Sequence, residues 1–318
     1  FLFTLLFAFS CTQQQSKTTF VDESDLTQYV NPFIGTAFTG HTFPGATYPL
    51  GMIQTGPQTG NFTWEYCSGY FYEDSLIQGF TQNRLNGTGC VDLGDLLVQP
   101  FAGEKRDNLD SHFDKSTEKA SPGYYTVHLK DNDVTVETTA APHVAFHKYT
   151  YPKGESANLL VDFQSGLVWQ NAKIHTHVLD NEVTFESDKV ISGFTRRTEW
   201  VTRIYYFVIE FDKPFTITEK LAPQSKLEKV GMSSASIVGA KANLNAEVNH
   251  WDFAKTHQEA KDEWNKYLSK VQINGSKDDK VNFYTSLYHL YIQPNNIADV
   301  DGKYTGPNRE VSQSSSGK

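Results

Sequence analysis

The chain has 318 residues, of which 38% are hydrophobic and 14% aromatic, which is enough for two folded domains with sizeable cores. Its formal net charge of −9 and its sequence pI of about 5.6 argue against nucleic acid or an anionic membrane surface as the main partner, because both select basic patches. A neutral ligand is compatible with this charge.

The chain begins with a mostly apolar run that ends at Ser10, followed by Cys11 and a polar tract. This run is too short to span a bilayer as a helix, but it is typical of the hydrophobic region of a signal peptide. A small residue directly before a cysteine resembles a bacterial lipoprotein cleavage site. We therefore predict a signal-like segment over residues 1–11 with lipidation of Cys11, and a polar linker over residues 12–28. An ordinary cleaved signal peptide with an incidental cysteine is the alternative.

These features predict an exported bacterial lipoprotein in the periplasm, or at the outer membrane or cell surface. Its contact with the membrane would be through the lipid on Cys11 alone.

Residues 30–100 combine glycine, proline and aromatic residues at high density. Glycine permits positive φ and proline ends regular structure, so this stretch predicts a succession of turns. Aromatic turns suit sugars, because a pyranose ring offers an apolar C–H face together with hydroxyls. The same composition also fits a tightly turned corner of a β-rich core. Cys67 and Cys90 both lie here, and the sequence leaves open whether they form a disulfide.

From residue 121 to residue 215, short β-branched or aromatic runs alternate with turn residues and show no helical period. This pattern predicts an antiparallel β-sandwich. A further hydrophobic alternation over residues 235–248 predicts one or two more strands. His175 and His177 share one face of a predicted strand, but the sequence identifies no third ligand, so we interpret them as solvent-facing and not as metal ligands.

The period changes after residue 250, where apolar residues recur at steps of three and four. This spacing predicts an amphipathic helix capped by Asp252, and a second helix capped by Asp278 and ended by Pro294. We expect the apolar stripes of these helices to lack partners and to form an exposed patch. The stripe residues concerned are Trp264, Tyr267, Tyr284 and Tyr288.

The order of these elements predicts three folded regions. A β-sandwich domain covers residues 29–250, a linker helix covers residues 251–275, and residues 276–318 begin a helical domain.

Several motifs follow one another along the chain. They are Val30-Asn-Pro-Phe-Ile-Gly-Thr36, His41-Thr-Phe-Pro-Gly-Ala46, Trp64-Glu-Tyr-Cys-Ser-Gly-Tyr70 and Asp299-Val-Asp-Gly-Lys-Tyr304. In this order they closely resemble glycoside hydrolase family 92, the bacterial exo-acting α-mannosidases, over about residues 29–306. The sequence departs from the family at Thr81-Gln-Asn-Arg-Leu85, where the family pattern is Ser-His-x-His-Leu.

The resemblance implies a mainly β protein with an antiparallel β-sandwich, followed by the first helices of a truncated (α/α)6 barrel. It also implies the N-terminal part of an exported α-mannosidase, of the α-1,2 type, that removes terminal mannose from glycans by a calcium-dependent inverting mechanism. Inversion needs a carboxylic acid and a carboxylate roughly 6.5–9.5 Å apart. The family places both groups and the calcium ligands in the barrel, so we expect them beyond residue 318 and expect this chain alone to be inactive.

The resemblance further assigns the sugar-facing rim. Trp64 is the candidate for stacking on the sugar, and the candidates for further substrate contacts are Glu65, His41, Phe43, Asp299 and Asp301. The alternatives are a buried corner tryptophan at position 64, a tight packing turn at positions 41–43 and a solvated Asp-Gly turn at positions 299–302. The two aspartates do not fit an EF-hand loop, so no metal ligand is assigned in this chain.

A second function class fits the same residues. A stand-alone β-sandwich lipoprotein, either carbohydrate-binding or purely structural, would carry the aromatic turns without any catalysis.

Overall fold

The computed structural model of the protein describes residues 24–60, 63–169, 177–217, 222–223 and 226–315. Over these ranges the chain is mainly β, which confirms the predicted class. Cys11, His175 and most of the strand predicted around His175 lie outside the described residues.

The strands are, in chain order, β1 (Ala46–Thr47), β2 (Gln54–Gln58), β3 (Leu76–Ile77), β4 (Gly79–Thr81), β5 (Leu97–Ala102), β6 (Ser111–His112), β7 (Lys119–Ser121), β8 (Tyr124–Leu129), β9 (Val134–Ala140), β10 (Val144–Thr150), β11 (Ala157–Asp162), β12 (Val178–Phe185), β13 (Val190–Thr198), β14 (Thr202–Phe211), β15 (Phe215–Thr216), β16 (Ala222–Pro223), β17 (Leu227–Ser233), β18 (Lys303–Thr305) and β19 (Val311–Gln313). The α-helices are α1 (Ile237–Glu247), α2 (Phe253–Leu268) and α3 (Lys277–Ile292). Two short 3-10 helices cover Leu26–Tyr29 and Trp64–Tyr66.

Two antiparallel sheets form the body of the β region. One has the strand order β1-β2-β4-β5-β11 and the other β12-β13-β14-β17-β10-β9-β8-β7. Phe80 and Val98 of the first sheet lie in one buried cluster with Tyr125, Val136 and Val230 of the second. The sheets therefore face each other across a shared apolar core.

Strand β8 shows why the alternating pattern was informative. Buried and half-buried residues alternate along its six positions, because every second side chain points into the core between the sheets.

The prediction of strands over residues 235–248 is wrong, because this segment forms helix α1. The Ser236 hydroxyl accepts a hydrogen bond from the Gly239 amide at 2.9 Å and caps the helix. Ala240 and Leu244, one turn apart, are buried against the eight-stranded sheet. The approach is close: a Cβ at Gly231 of β17 would lie 2.9 Å from the Ala240 oxygen. The small residues Gly231 and Ala240 permit this close contact. The apolar residues of this segment alternate as they would in a strand, although the segment is helical.

Helix α2 begins as predicted, with the Asp252 carboxylate accepting a hydrogen bond from the Lys255 amide at 3.0 Å. The prediction for α3 is wrong by two residues. Ser276 is the cap, and it exchanges hydrogen bonds with Asp279 in a capping box. Asp278 lies instead in the first turn, where a negative charge favours the helix dipole.

The expected exposed patch on α2 and α3 is also wrong. Trp264, Tyr284 and Tyr288 are buried together against the 3-10 helix at Leu26–Tyr29. The Trp264 indole donates to the Thr47 carbonyl of β1 at 2.8 Å, and the Thr47 and Tyr288 hydroxyls are hydrogen-bonded at 3.1 Å. The apolar stripes of α2 and α3 therefore pack against each other, against the 3-10 helix at Leu26–Tyr29 and against β1.

Residues after α3 form a short antiparallel hairpin, β18 with β19, which the sequence did not predict. Continuation into a helical barrel remains a prediction. Within the ranges described above, no helix is both long enough and apolar enough to cross a bilayer.

Candidate functional site

Two loops of the turn-rich stretch meet at the surface. His41 has a left-handed backbone with φ 51°, and its carbonyl accepts a hydrogen bond from the Gly87 amide at 2.7 Å. The Ser68 hydroxyl donates to the Thr42 carbonyl at 3.0 Å. These bonds fix the His41 loop against the turn that carries Trp64.

The His41 and Trp64 side chains touch edge to face. Their ring centres lie 4.4 Å apart at an interplanar angle of 73°. Trp64 is half-buried and packs on a small cluster of Cys67, Val91 and Leu167. The indole is therefore anchored on one side and retains exposed surface, as a sugar-stacking ring requires.

Two ionisable side chains lie at this contact, His41 and Glu65. Burial lowers the pKa of His41, although Glu65 partly opposes the shift, so the imidazole is neutral near pH 7. Neither ring nitrogen has a hydrogen-bond partner of normal geometry among the described residues. Glu65 is exposed, and a hydrogen bond from Thr63 lowers the pKa of its carboxyl group. The half-buried indole and the exposed carboxylate suit a polyhydroxylated ring, whereas His41 and both of its nitrogens are buried, so its expected contact with substrate is corrected to support of the indole.

Phe43 does not join this group. Its side chain is fully buried, and the Arg84 guanidinium lies 4.7 Å from the ring centre. The expected contact of Phe43 with substrate is therefore corrected to a packing role. Its ring is part of the buried apolar support of the turn that exposes Trp64.

Arg84 was not identified from the sequence. The guanidinium is completely buried and donates to the carbonyls of Pro57 at 2.7 Å, Ser68 at 3.0 Å and Gly56 at 2.6 Å. Burial without an acidic partner lowers its pKa to about 9. The available signal was the departure from the family pattern at this position.

Asp299 and Asp301 have different environments. Asp299 is buried and accepts hydrogen bonds from the Ser233 hydroxyl at 2.7 Å and from the Asn243 amide at 2.8 Å. Burial raises its pKa. Asp301 is exposed and pairs with Lys303 at 2.7 Å, which lowers its pKa. Asp299 thus joins the C-terminal hairpin to α1 and β17, and its expected role toward sugar is corrected to a structural one in this chain.

Cys67 and Cys90 are both free thiols. Cys67 is buried and donates to the Trp64 carbonyl at 2.9 Å, whereas Cys90 is partly exposed. The question that the sequence left open is answered in favour of two thiols.

Among the residues that the structure describes, no cluster of three or more His, Cys, Asp or Glu is suited to a metal ion. His177 is instead paired with Glu199 at 2.5 Å. The described residues offer no ligand set for the calcium ion implied by the resemblance, whose ligands are predicted to lie beyond residue 318.

Residues 29–259 match the N-terminal domain of glycosyl hydrolase family 92, and residues 239–317 match the catalytic domain of the same family. The two matches overlap across α1 and the beginning of α2.

Similar solved structures agree with this result. A family GH92 α-mannosidase from Bacteroides thetaiotaomicron has 28% sequence identity and a TM-score of 0.82, over 91% of this chain and 44% of that one. The same enzyme in complex with mannoimidazole gives 28% identity and a TM-score of 0.83, over 91% of this chain and 43% of that one.

Among curated proteins, an uncharacterized secreted glycosidase from Arthroderma benhamiae is 25% identical over 90% of this chain and 43% of that protein. The chain thus spans less than half the length of these relatives. Its first domain is nevertheless matched over residues 29–259, which is most of the chain. This chain belongs to glycosyl hydrolase family 92.

Proposed function

We propose that this chain is the N-terminal part of an exported α-mannosidase, which removes terminal mannose from glycans by a calcium-dependent inverting reaction. The observation that carries the proposal is the edge contact between His41 and Trp64, with Glu65 beside it. Similarity to a solved α-mannosidase that was crystallised with mannoimidazole supports mannose as the sugar.

In this proposal the described residues supply the substrate-facing rim. Trp64 stacks on the apolar face of a sugar, and the exposed Glu65 carboxylate accepts hydrogen bonds from its hydroxyls, while the buried His41 ring supports the indole. Protonation of the leaving oxygen and activation of water fall to acidic groups outside the residues described here.

The rim is tested by kinetics on the protein expressed from its complete gene. We expect Trp64→Ala to lower kcat/KM for an α-mannoside by about tenfold or more, with little change in Tm, because an exposed stacking ring contributes to binding more than to the core. Trp200→Ala removes another exposed tryptophan and is the matched control. A large loss of Tm with unchanged kcat/KM would instead assign Trp64 to packing.

The 318-residue chain alone should release no mannose, with or without added calcium. Each missing proton-transfer group typically contributes a factor of about 10²–10⁴ to the rate. Turnover near that of an intact relative by a purified product of verified length would contradict this expectation.

The proposal includes attachment to the membrane through lipid on Cys11. Cys11→Ala should move the protein from the membrane fraction to the soluble fraction. Unchanged membrane association of this variant would rule out the anchor.

The alternative, a stand-alone carbohydrate-binding or structural sandwich, gains support from the packing of α2 and α3. Trp264 and Tyr288 are fully buried within this chain, so these two residues do not need further helices to cover them. Saturable mannoside binding by a protein that is inactive even when expressed from its complete gene would favour this alternative.

A further inference from the structure

A cavity separate from the His41–Trp64 rim lies between the eight-stranded sheet and the beginning of α2. Its volume is about 740 Å³, and it shares no residue with the His41–Trp64 rim. Its principal lining residues are Tyr124, Glu137, Lys148, Trp251, Phe253 and His257. The volume lies within the range of small-molecule sites, which is about 300–1,000 Å³.

Aromatic rings form the walls of this cavity. The His257 imidazole stacks on Tyr124 with ring centres 4.5 Å apart and an interplanar angle of 21°. The Phe253 and Tyr124 rings meet edge to face, with ring centres 6.4 Å apart. Trp251 is 36% exposed, and the buried Lys229 ammonium lies 4.2 Å from its ring centre, which holds the indole in place. The cavity thus has rigid, partly exposed apolar walls.

Polar groups in the cavity are left without partners. In the described part of the chain, no hydrogen bond engages the Trp251 indole N–H or either His257 nitrogen. Asp252 uses one carboxylate oxygen to cap α2, and the other is free to accept. A ligand in this cavity therefore meets both donors and acceptors beside aromatic surface.

The charge of the cavity is nearly balanced. Glu137 and Lys148 are opposite each other on β9 and β10 and form an ion pair at 2.6 Å. The Tyr124 hydroxyl also donates to Glu137, at 2.9 Å. Burial lowers the pKa of His257, so its ring is neutral near pH 7. Asp252 is the remaining charge, and it is partly engaged by the helix. Neither a phosphate nor a strongly cationic ligand is selected by such a lining.

We propose that this cavity is a second saccharide site, which binds one or two neutral pyranose units of a glycan at a distance from the Trp64 rim. An aromatic wall receives the C–H face of the sugar, while the Trp251, His257 and Asp252 groups bind its hydroxyls. The choice of mannose as the first sugar to try rests on the proposed function, whereas the site itself rests on the geometry of this cavity.

The experiment is a titration of the chain with methyl α-mannoside, followed by saturation-transfer NMR and by protein chemical shifts. Methyl α-glucoside tests the choice of sugar, and cyclohexanol tests whether apolar contact alone suffices. His257→Phe keeps a ring on Tyr124 but removes both nitrogens. Asp252→Ser keeps a helix cap but removes the carboxylate. His128→Phe, on β8 outside the cavity, is the matched control.

We expect His257→Phe and Asp252→Ser each to weaken binding at this site by about tenfold, since each removes a hydrogen bond to the ligand. His128→Phe and Trp64→Ala should leave it unchanged. Three results would overturn the second site: no saturable binding of either glycoside, equal binding of cyclohexanol, or binding that Trp64→Ala abolishes and His257→Phe does not affect. The last of these would leave the proposed function intact, whereas binding lost only in His257→Phe would support the second site and not the Trp64 rim.

Discussion

The Arg84 guanidinium lies 4.7 Å from the centre of the Phe43 ring, and both side chains are fully buried. This cation has no carboxylate partner in its hydrogen bonds, which go to carbonyls and to the Thr81 hydroxyl. One buried side chain therefore joins strand β2, which precedes the Trp64 turn, to Ser68, which follows it.

We expect Arg84→Ala to lower the free energy of unfolding by about 3 kcal/mol or more, because three buried carbonyls lose their donors and a cavity opens beside Phe43. Arg84→Lys should recover only part of this loss, since an ammonium lacks the planar fork of the guanidinium. Denaturant unfolding measures both, with the exposed Arg309→Ala as the control. A loss below about 1 kcal/mol in Arg84→Ala would show that the loops hold without it.

Glu228 predicts a dependence of stability on pH. Burial raises the pKa of its carboxyl group from 4.5 to about 7 in the folded protein, and the Tyr149 hydroxyl donates to it. Below pH 4.5 the group is protonated in both states, so its contribution to stability is fully present. As pH rises toward 7 the unfolded chain ionises first, and this contribution is lost.

The loss should be on the order of 3 kcal/mol between about pH 5 and pH 8. Glu228→Gln keeps an oxygen for Tyr149 but cannot ionise, so its Tm should fall less over this interval. Exposed Glu310→Gln serves as the control. Equal pH profiles for the wild type and Glu228→Gln would contradict the assignment.

Asp299→Ala should destabilise the protein more than Asp301→Ala does. Asp299→Ala leaves the buried Ser233 hydroxyl and Asn243 amide without an acceptor and should cost about 2–3 kcal/mol. Asp301→Ala removes an exposed ion pair and should cost less than about 0.5 kcal/mol. Chemical denaturation of the two variants gives the comparison, and equal losses would mean that the burial of Asp299 carries no energetic weight.

The cap of α3 gives a further test. Ser276→Ala removes the hydroxyl that accepts from the Asp279 amide, leaves the bond from the backbone amide of residue 276 to the Asp279 carboxylate, and should destabilise the chain by about 1 kcal/mol. Asp278→Ala removes only a favourable charge in the first turn and should cost about 0.3 kcal/mol. The reverse order, measured by thermal unfolding, would restore Asp278 as the important residue.

The sequence predicted the sandwich well because its signal is local. Strand β8 buries every second residue, so its alternation could be read directly, and the cap at Asp252 marks the beginning of α2. Helix α1 was not predicted because Gly239 and Ala240 pack closely against their neighbours, so the helix has no wide apolar stripe that the sequence could show. The prediction was correct where buried residues recur at a regular spacing, as in β8, and wrong where they do not, as in α1.

The candidate site was predicted only in part. The contact of His41 with Trp64 agrees with the density of aromatic turns, but turns have no period that tells which side chain faces inward. His41, Phe43 and Asp299 were therefore assigned to the surface although all three are buried. Arg84 is buried because carbonyls of strand β2 and of Ser68 converge on it, and a single sequence does not show that these segments lie close together.

The hydrogen bond from Trp264 to Thr47 joins residues that are 217 positions apart. Closing so long a loop costs conformational entropy before the contact is gained, whereas neighbouring strands such as β8 and β9 pair at short range. We therefore expect the local hairpins to form first and the two helices to dock on β1 late in folding. Mutations at Trp264 would then mainly accelerate unfolding and leave the folding rate nearly unchanged.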